Sequence, residues 1–200
     1  MQAIQRNKIA LFALALVPLA LMLNAAIQNN LGPDPAQALA HMSGDWALRL
    51  LLITLAVTPI RMLTGVAAWI QYRRMLGLFA FFYACLHLLV YAVFLLELQW
   101  QDLAGDILER PYITVGFTAL LILLPLAITS TRGWQRRLGR KWKRLHKAIY
   151  LAMALVLLHI LWQARSDIAE PLFYIGLFFL LMAFRMPVIK RRLSRGQSAR

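Results

Sequence analysis

The stretch RLHKAIYLAMALVLLHILW, residues 144–162, places two histidines, His146 and His159, in a segment that is otherwise typical of a transmembrane helix. An ionisable side chain inside a bilayer is costly and usually functional. Thirteen residues of helix rise about 20 Å and rotate through roughly 220°. We therefore expect the two histidines at different depths, facing different directions, and unable to share one small ligand from the same side.

The rest of the chain is similarly apolar. Of its 200 residues 61% are hydrophobic, with a mean hydropathy of +0.63, whereas soluble domains average about 45–50% apolar residues. A helix needs about 20 apolar residues to cross a bilayer, and the chain has six such segments. We predict an all-α polytopic membrane protein, a six-transmembrane-helix bundle forming one domain over residues 1–200, with no internal repeat visible. The predicted spans are 9–27, 46–63, 75–96, 111–131, 148–165 and 171–189.

The basic and the acidic residues lie on opposite sides of the predicted membrane layout. All of the 22 Lys and Arg except Arg49, Arg110 and Arg165 lie at the two ends of the chain or in loops on one side of this layout. The eight acidic residues lie on the other side: Asp34, Asp45, Glu97, Asp102, Asp106, Glu109, Asp167 and Glu170. The positive-inside rule predicts that both termini are cytoplasmic. The net charge of +14 is thus explained by topology and contacts with the anionic lipid bilayer rather than by nucleic acid.

Two histidines are predicted at the same depth. His87 lies thirteen residues beyond Arg74, where the third span leaves the basic side, and His159 lies thirteen residues beyond His146 on the fifth span. Two imidazoles at matched depth on parallel helices suit the axial positions of a b-type haem in an apolar slot. We predict His87 and His159 as haem iron ligands. The alternative is that each only hydrogen-bonds a neighbouring helix.

Other metal chemistry is less favoured. Zinc requires three or four protein ligands, and no carboxylate lies at this depth. The single cysteine, Cys85, cannot form an internal disulfide or a thiolate cluster, and we interpret it as a packing residue.

The basic end lacks a second histidine pair. The residues matched in depth to His146 on the third span are Arg73 and Arg74, whose guanidinium groups favour anions. His146 is therefore predicted to ligate a second haem with an unusual partner, to line a pocket where the arginines hold haem propionates or a flavin phosphate, or to be a plain interfacial residue. His41, placed on the outer side just before the second span, is either a solvated residue or a residue acting at the haem edge or in partner docking.

Four stretches resemble a known family. They are HMSGDWALRLLLITLAVTPIR (41–61), RRMLGLFAFFYACLHLLVY (73–91), ERPYITVGF (109–117) and TSTRGWQRRLGRKWKRLHKAIYLAMALVLLHILW (129–162). They resemble the MsrQ (formerly YedZ) family of haem-binding membrane subunits of bacterial methionine-sulfoxide reductase systems. More widely, they resemble the ferric-reductase-like transmembrane domains shared with NADPH oxidases. The resemblance covers nearly the whole chain.

The resemblance implies an electron-transfer subunit of the bacterial inner membrane rather than a catalytic subunit. Electrons would come from a cytoplasmic flavin reductase or from quinol, pass through haem b, and reach a periplasmic molybdopterin-containing subunit that reduces methionine sulfoxide in envelope proteins. His87, His146 and His159 fall where the haem-linked histidines of the family fall. The family is also described as binding FMN, but no glycine-rich phosphate motif assigns FMN to residues here.

Two other functions remain open from the residues alone. One is a stand-alone metal-ion or oxygen reductase of the same fold, and the other is a haem-free transporter or a scaffold that anchors a partner. The chain has no dinucleotide-binding fingerprint, so a reductant would be oxidised by another protein, a small bound flavin or quinol. The acidic segment ELQWQDLAGDILERP (97–111) is predicted to be a docking loop for a partner or an ordinary solvated loop.

Overall fold

The computed structural model describes residues 2–164 and 167–186, without the side chains of residues 2–4 and 100–103, and this part of the chain contains helices and no strands. A 3₁₀ turn, Ala67–Gln71, precedes the helix Arg73–Val90, and a π-helical turn, Tyr91–Leu95, extends that helix. The helices are α1 Gln2–Ile27, α2 Pro35–Thr64, α3 Arg73–Val90, α4 Trp100–Glu109, α5 Pro111–Ile128, α6 Arg132–Leu138, α7 Arg140–Leu145, α8 Ala148–Gln163 and α9 Ala169–Ala183.

The predicted all-α membrane fold is confirmed. Five helical segments are long and apolar enough to cross a membrane, and the shorter apolar helix Ala169–Ala183 matches the sixth predicted span. The predicted ends of the last two spans, at residue 165 and at residues 187–189, lie outside the described residues, as do the basic residues from Lys190 onward.

The second span begins well before its predicted start at residue 46. Asp34 caps α2, accepting a hydrogen bond from the Gln37 amide at 3.0 Å, and Pro35 occupies the first turn, the position where proline is favoured. At the other end Gly65 adopts a left-handed conformation, φ 72°, which terminates the helix. As a result His41 lies inside α2 rather than before it.

Two segments expected to be loops are helical. The acidic segment contains α4, and the basic segment between the fourth and fifth spans folds into α6 and α7. Thr131 caps α6 by accepting from the Trp134 amide, and Gly139, with φ 51°, separates α6 from α7. We call the end of the bundle near Asp45, Asp106 and Glu170 the acidic end, and the end carrying α6 and α7 the basic end.

Helix pairing creates the interior of the bundle. The most extensive packing joins α2 to α3 and α5 to α8. Small residues allow close approach: Ala80, Ala119 and Ala152 are almost fully buried, and a Cβ on Gly77 would lie 3.6 Å from the Thr54 methyl. This agrees with the preference of membrane helix interfaces for small residues. Two facing helix pairs therefore enclose the space between them.

A side chain from α3 satisfies backbone groups beside the proline of α1. The Tyr83 hydroxyl donates to the Ala15 carbonyl at 2.8 Å and accepts from the Leu19 amide at 3.0 Å, beside Pro18 in α1. An unsatisfied backbone group is expensive in lipid, so Tyr83 stabilises the contact between α1 and α3. Because Tyr83 lies one helical turn before His87, this contact also helps to position the histidine-bearing face of α3.

Candidate cofactor site

A cavity of about 690 Å³ opens at the acidic end between α2, α3, α5 and α8. Its walls are mostly apolar, while exposed polar residues surround its mouth. A volume of this size is within the range of about 300–1,000 Å³ that is usual for ligand pockets. Both His87 and His159 line the cavity, together with apolar residues such as Leu51, Ala84, Leu120 and Val156.

Each of these imidazoles is held through Nδ1 by a backbone carbonyl of the neighbouring helix. His87 Nδ1 is 2.8 Å from the Ala40 oxygen on α2, and His159 Nδ1 is 2.7 Å from the Tyr112 oxygen on α5. A carbonyl can only accept, so each Nδ1 carries the hydrogen and donates it, leaving a lone pair on Nε2. Neither Nε2 has a hydrogen-bond partner in the described ranges 2–164 and 167–186. This is the usual arrangement of a metal-ligating histidine.

Glycines allow the close approach of both rings. A Cβ on Gly44 would lie 3.1 Å from His87 Nδ1, and a Cβ on Gly116 would lie 2.8 Å from His159 Nδ1. Either contact would force the ring or the helix to move. Glycine in a helix interior costs roughly 0.5–1 kcal/mol relative to alanine, and here the access of each imidazole to its carbonyl offsets that cost.

The two helix pairs repeat one arrangement. In each, the accepting carbonyl lies one helical turn before the glycine, and the histidine follows the carbonyl residue by 47 positions. Sequence inspection found no internal repeat, because only a few positions carry it. The equal spacing of Gly44 to His87 and of Gly116 to His159 is the signal that could have revealed it. The Ala40 and Tyr112 carbonyls were likewise not predicted as site groups.

The separation of the rings fits one metal ion between them. Their centroids are 6.2 Å apart, and the ring planes are inclined at 75°. A metal ion bound to both rings would lie about 2 Å from one nitrogen of each. Adding the distance from each nitrogen to the centroid of its own ring gives a centroid separation of this size. Among the described residues no group of three or more His, Cys, Asp or Glu side chains could hold a metal ion. A site with two protein ligands and apolar walls therefore suits haem iron, whose remaining positions the porphyrin fills.

His146 lies apart from this pair, at the basic end. Its Nε2 is 3.1 Å from the Thr129 hydroxyl, and its ring stacks on Trp142 with centroids 4.0 Å apart and planes at 27°. The Trp142 indole N–H donates to the Thr129 carbonyl at 2.8 Å. Arg73 is half-buried, whereas Arg74 is exposed. The structure thus keeps His146 apart from the other two histidines.

Polar residues surround the mouth of the cavity. His41 is exposed and lines it, as do Asp45 and Asp167. At the opposite edge Tyr91 donates to Asp106 on α4, and Arg110 pairs with the same carboxylate at 3.1 Å. These contacts fasten α4 beside the cavity. Sequence reasoning missed this cluster because α4 was expected to be a loop.

A further ion-pair group lies near the mouth. The Arg49 guanidinium is 3.2 Å from Asp45 and 4.0 Å from Glu170, and its Nε donates to the Tyr174 hydroxyl at 3.0 Å. Arg49 thereby connects α2 to α9.

Comparisons with known proteins identify the family of the chain. Residues 43–157 match the model of the family described as ferric reductase like transmembrane component. A protein-methionine-sulfoxide reductase heme-binding subunit MsrQ from Xanthomonas campestris pv. campestris (strain 8004) is 51% identical over 199 residues, covering 96% of this chain and 90% of that protein. The protein of the same description from Rhodospirillum rubrum is 44% identical over 190 residues, covering 94% and 91%.

Proposed function

The chain belongs to the MsrQ family of the ferric-reductase-like transmembrane components, and from that membership we propose that it carries electrons across the bacterial inner membrane through a haem b held by His87 and His159. Its role in membrane electron transfer follows from the family.

One observation carries the assignment of the ligands. The centroids of the two imidazoles lie 6.2 Å apart in an apolar cavity. Each ring has Nδ1 bound to a carbonyl and, within the part of the chain that the structure describes, an Nε2 without a protein partner. When bound, a haem supplies a one-electron carrier between the two helix pairs. The hydrogen bonds to the Ala40 and Tyr112 carbonyls orient the rings and increase the basicity of Nε2. The apolar walls limit water, which influences the reduction potential of such a centre.

The ends of the bundle suggest the direction of transfer. We propose that the basic end faces the cytoplasm, following the positive-inside rule, and receives electrons from a flavin reductase or quinol. The acidic end, where the cavity opens, would then face the periplasm and a molybdopterin-containing methionine-sulfoxide reductase subunit. The names of the relatives describe heme-binding subunits of a protein-methionine-sulfoxide reductase, which supports a methionine-sulfoxide reductase as the partner.

Electrons need an input site at the basic end. His146, Arg73 and Arg74 are the proposed residues there, with the arginines binding a propionate or the phosphate of FMN. The contact of His146 Nε2 with Thr129 supports a role in lining that site rather than in binding the iron between His87 and His159.

The visible spectrum of the purified protein tests the assignment. We expect sharp α and β bands after dithionite reduction, as for a six-coordinate b-type haem. Reduction by a flavin reductase or by quinol, followed by reoxidation on adding the reductase subunit, tests the partners. A colourless protein that still supports the reductase in cells would instead indicate a haem-free scaffold.

Reporter fusions test the orientation. A reporter fused after Arg200 or within the α6–α7 segment should be active only in the cytoplasm, and one fused within α4 only in the periplasm. The reverse pattern would overturn the proposed direction of transfer while leaving the haem ligands unaffected.

A further inference from the structure

One carboxylate on α4 contacts both of the segments that form the histidine site. The Tyr91 hydroxyl donates to Asp106 Oδ2, and the Arg110 Nε is 3.1 Å from Asp106 Oδ1. Each oxygen therefore has its own partner. The Asp106 side chain is only 16% exposed, compared with 54% for Arg110, and a carboxylate held this far from solvent is stabilised by such charge-assisted hydrogen bonds. Asp106 thus has a defined position beside the cavity.

The Tyr91 contact leads to the first histidine. Tyr91 follows His87 by four residues, which places both on one face of the helix, and both line the cavity. The Tyr91 amide donates to the His87 carbonyl, and the helix changes at Tyr91 to a π-helical turn, a feature that is frequent at functional sites. A shift of Tyr91 relative to Asp106 would therefore also move the turn of helix that carries His87.

The Arg110 contact leads to the second histidine. Arg110 immediately precedes α5, and Tyr112, whose carbonyl is 2.7 Å from His159 Nδ1, follows two residues later. The Thr114 hydroxyl donates to the Ile107 carbonyl, which fastens the end of α4 to the same part of α5. The position of α4 is therefore coupled to the carbonyl that orients His159.

The backbone between α3 and α4 is irregular. Glu97 and Leu98 have φ values of 49° and 62°, which are uncommon for residues other than glycine. No continuous helix therefore joins the two elements, and among the described residues α4 packs mainly on α5. The hydrogen bond from Tyr91 to Asp106 is consequently the side-chain contact that holds α4, and α5 with it, in register with the turn carrying His87.

We propose that Asp106 is a positioning residue that holds the His87 and His159 rings in their relative orientation, and so sets the spectroscopic and redox properties of the haem between them. The ring planes are inclined at 75°, and hydrogen bonds beyond the ligands orient metal-binding imidazoles. Hydrogen bonding around the axial ligands is also one means by which a protein adjusts a haem reduction potential. The inference rests on the proposed haem site and adds to it a residue that acts through Tyr91 and Arg110.

EPR spectroscopy of the purified, full-length ferric protein tests this proposal, because the g values of a low-spin haem depend on the angle between its two imidazole planes. We expect Asp106→Ala and Tyr91→Phe to shift the g values in the same direction while haem content is retained. Haem transfer to apomyoglobin should become roughly fivefold faster in each variant, as expected for the loss of a hydrogen bond. Asp106→Asn, which keeps an oxygen for Tyr91, should lie closer to the wild type.

Two variants separate position from charge. Tyr91→Phe removes no charge, so its shift in g values reports geometry. Glu109→Gln removes an exposed carboxylate from the same helix and should leave the g values unchanged, while a redox titration of this variant measures the effect of charge alone on the reduction potential. The shifts caused by Asp106→Ala and Tyr91→Phe should not add in the double variant, because both remove the same hydrogen bond.

The outcomes distinguish this inference from the proposed function. Unchanged g values in both Asp106→Ala and Tyr91→Phe, with only a lower unfolding temperature, would mean that the contact is purely structural and would overturn this inference alone. An equal shift in Glu109→Gln would overturn it as well, since that residue lies outside the contact. A wild-type protein without haem, or with a haem that binds a single imidazole, would refute the proposed function and this inference with it.

Discussion

The histidines at the two ends of the bundle have opposite surroundings. At the acidic end His87 and His159 use Nδ1 for a backbone carbonyl, and their Nε2 atoms have no hydrogen-bond partner among the described residues. At the basic end the Nε2 of His146 contacts the Thr129 hydroxyl and the ring stacks on Trp142. Residue type therefore does not identify a metal ligand here. The more informative feature is which ring nitrogen the hydrogen bond of the histidine occupies, because a bond at Nδ1 leaves Nε2 for a metal.

The two ends also differ in the glycines that lie against their histidines. Gly44 and Gly116 lie against the rings of His87 and His159, whereas Gly133 and Gly139, the glycines of the segment that carries α6 and α7, do not lie against the His146 ring. Within the described residues, the acidic end thus combines Nε2 atoms that lack a partner with backbone that can approach closely, whereas the Nε2 of His146 at the basic end already contacts Thr129. The first arrangement suits a metal ion.

The largest effect is expected from removing either ligand of the proposed pair. His87→Ala and His159→Ala should each abolish the six-coordinate haem spectrum, because the iron loses one of its two imidazoles. Haem content and the reduced α band of purified variants provide the measurement. If both variants keep full haem content and an unchanged spectrum, the assignment of ligands is wrong.

A smaller but distinct loss is expected from the glycines. Gly116→Ala should disturb the site more than Gly44→Ala, since the added Cβ would lie 2.8 Å rather than 3.1 Å from the nearest ring nitrogen. Overpacking of this kind costs typically about 1–3 kcal/mol of stability. The haem affinity and the unfolding temperature should both fall, and they should fall further in Gly116→Ala than in Gly44→Ala. Gly176→Ala on α9, where a Cβ meets open space, is the matched control. Equal behaviour of all three variants would contradict the close-approach argument.

At the basic end, His146→Ala should leave the haem spectrum largely intact. It should slow reduction by the physiological donor several-fold while leaving dithionite reduction unaffected, because His146 contacts Thr129 and Trp142 rather than the cavity. The double variant Arg73→Ala with Arg74→Ala should share this behaviour. Stopped-flow absorbance with each reductant separates the two effects. Loss of all haem in His146→Ala would show that it ligates the only haem.

The smallest effect is expected at the mouth of the cavity. His41 is exposed there, so His41→Ala should retain haem and its spectrum and change reoxidation by the reductase subunit at most modestly. Comparison of haem content and reoxidation rate with those of His87→Ala measures the contrast between a lining residue and a ligand. Haem loss as large as that of His87→Ala would mean that His41 belongs to the site itself.

Much of the fold could be predicted from the amino-acid sequence. Helix type and the apolar spans were predicted from composition, since a bilayer accepts little except apolar helices. The start of the second span was not predicted correctly, because Asp34 and Pro35 begin α2 among residues that are not strongly apolar. The short helices α4, α6 and α7 were missed for a similar reason, as their composition is that of a polar connection.

The matched depth of His87 and His159 was also accessible from the sequence, since rise along a helix is a simple function of residue number. The chain by itself thus determined the existence of the apolar spanning helices and the height of each histidine, which depend on local composition and spacing. The rotation of each helix about its axis is set instead by its neighbours. The carbonyls that face the imidazoles, the need for Gly44 and Gly116, and the contact of Asp106 with Tyr91 were therefore decided only by packing between helices.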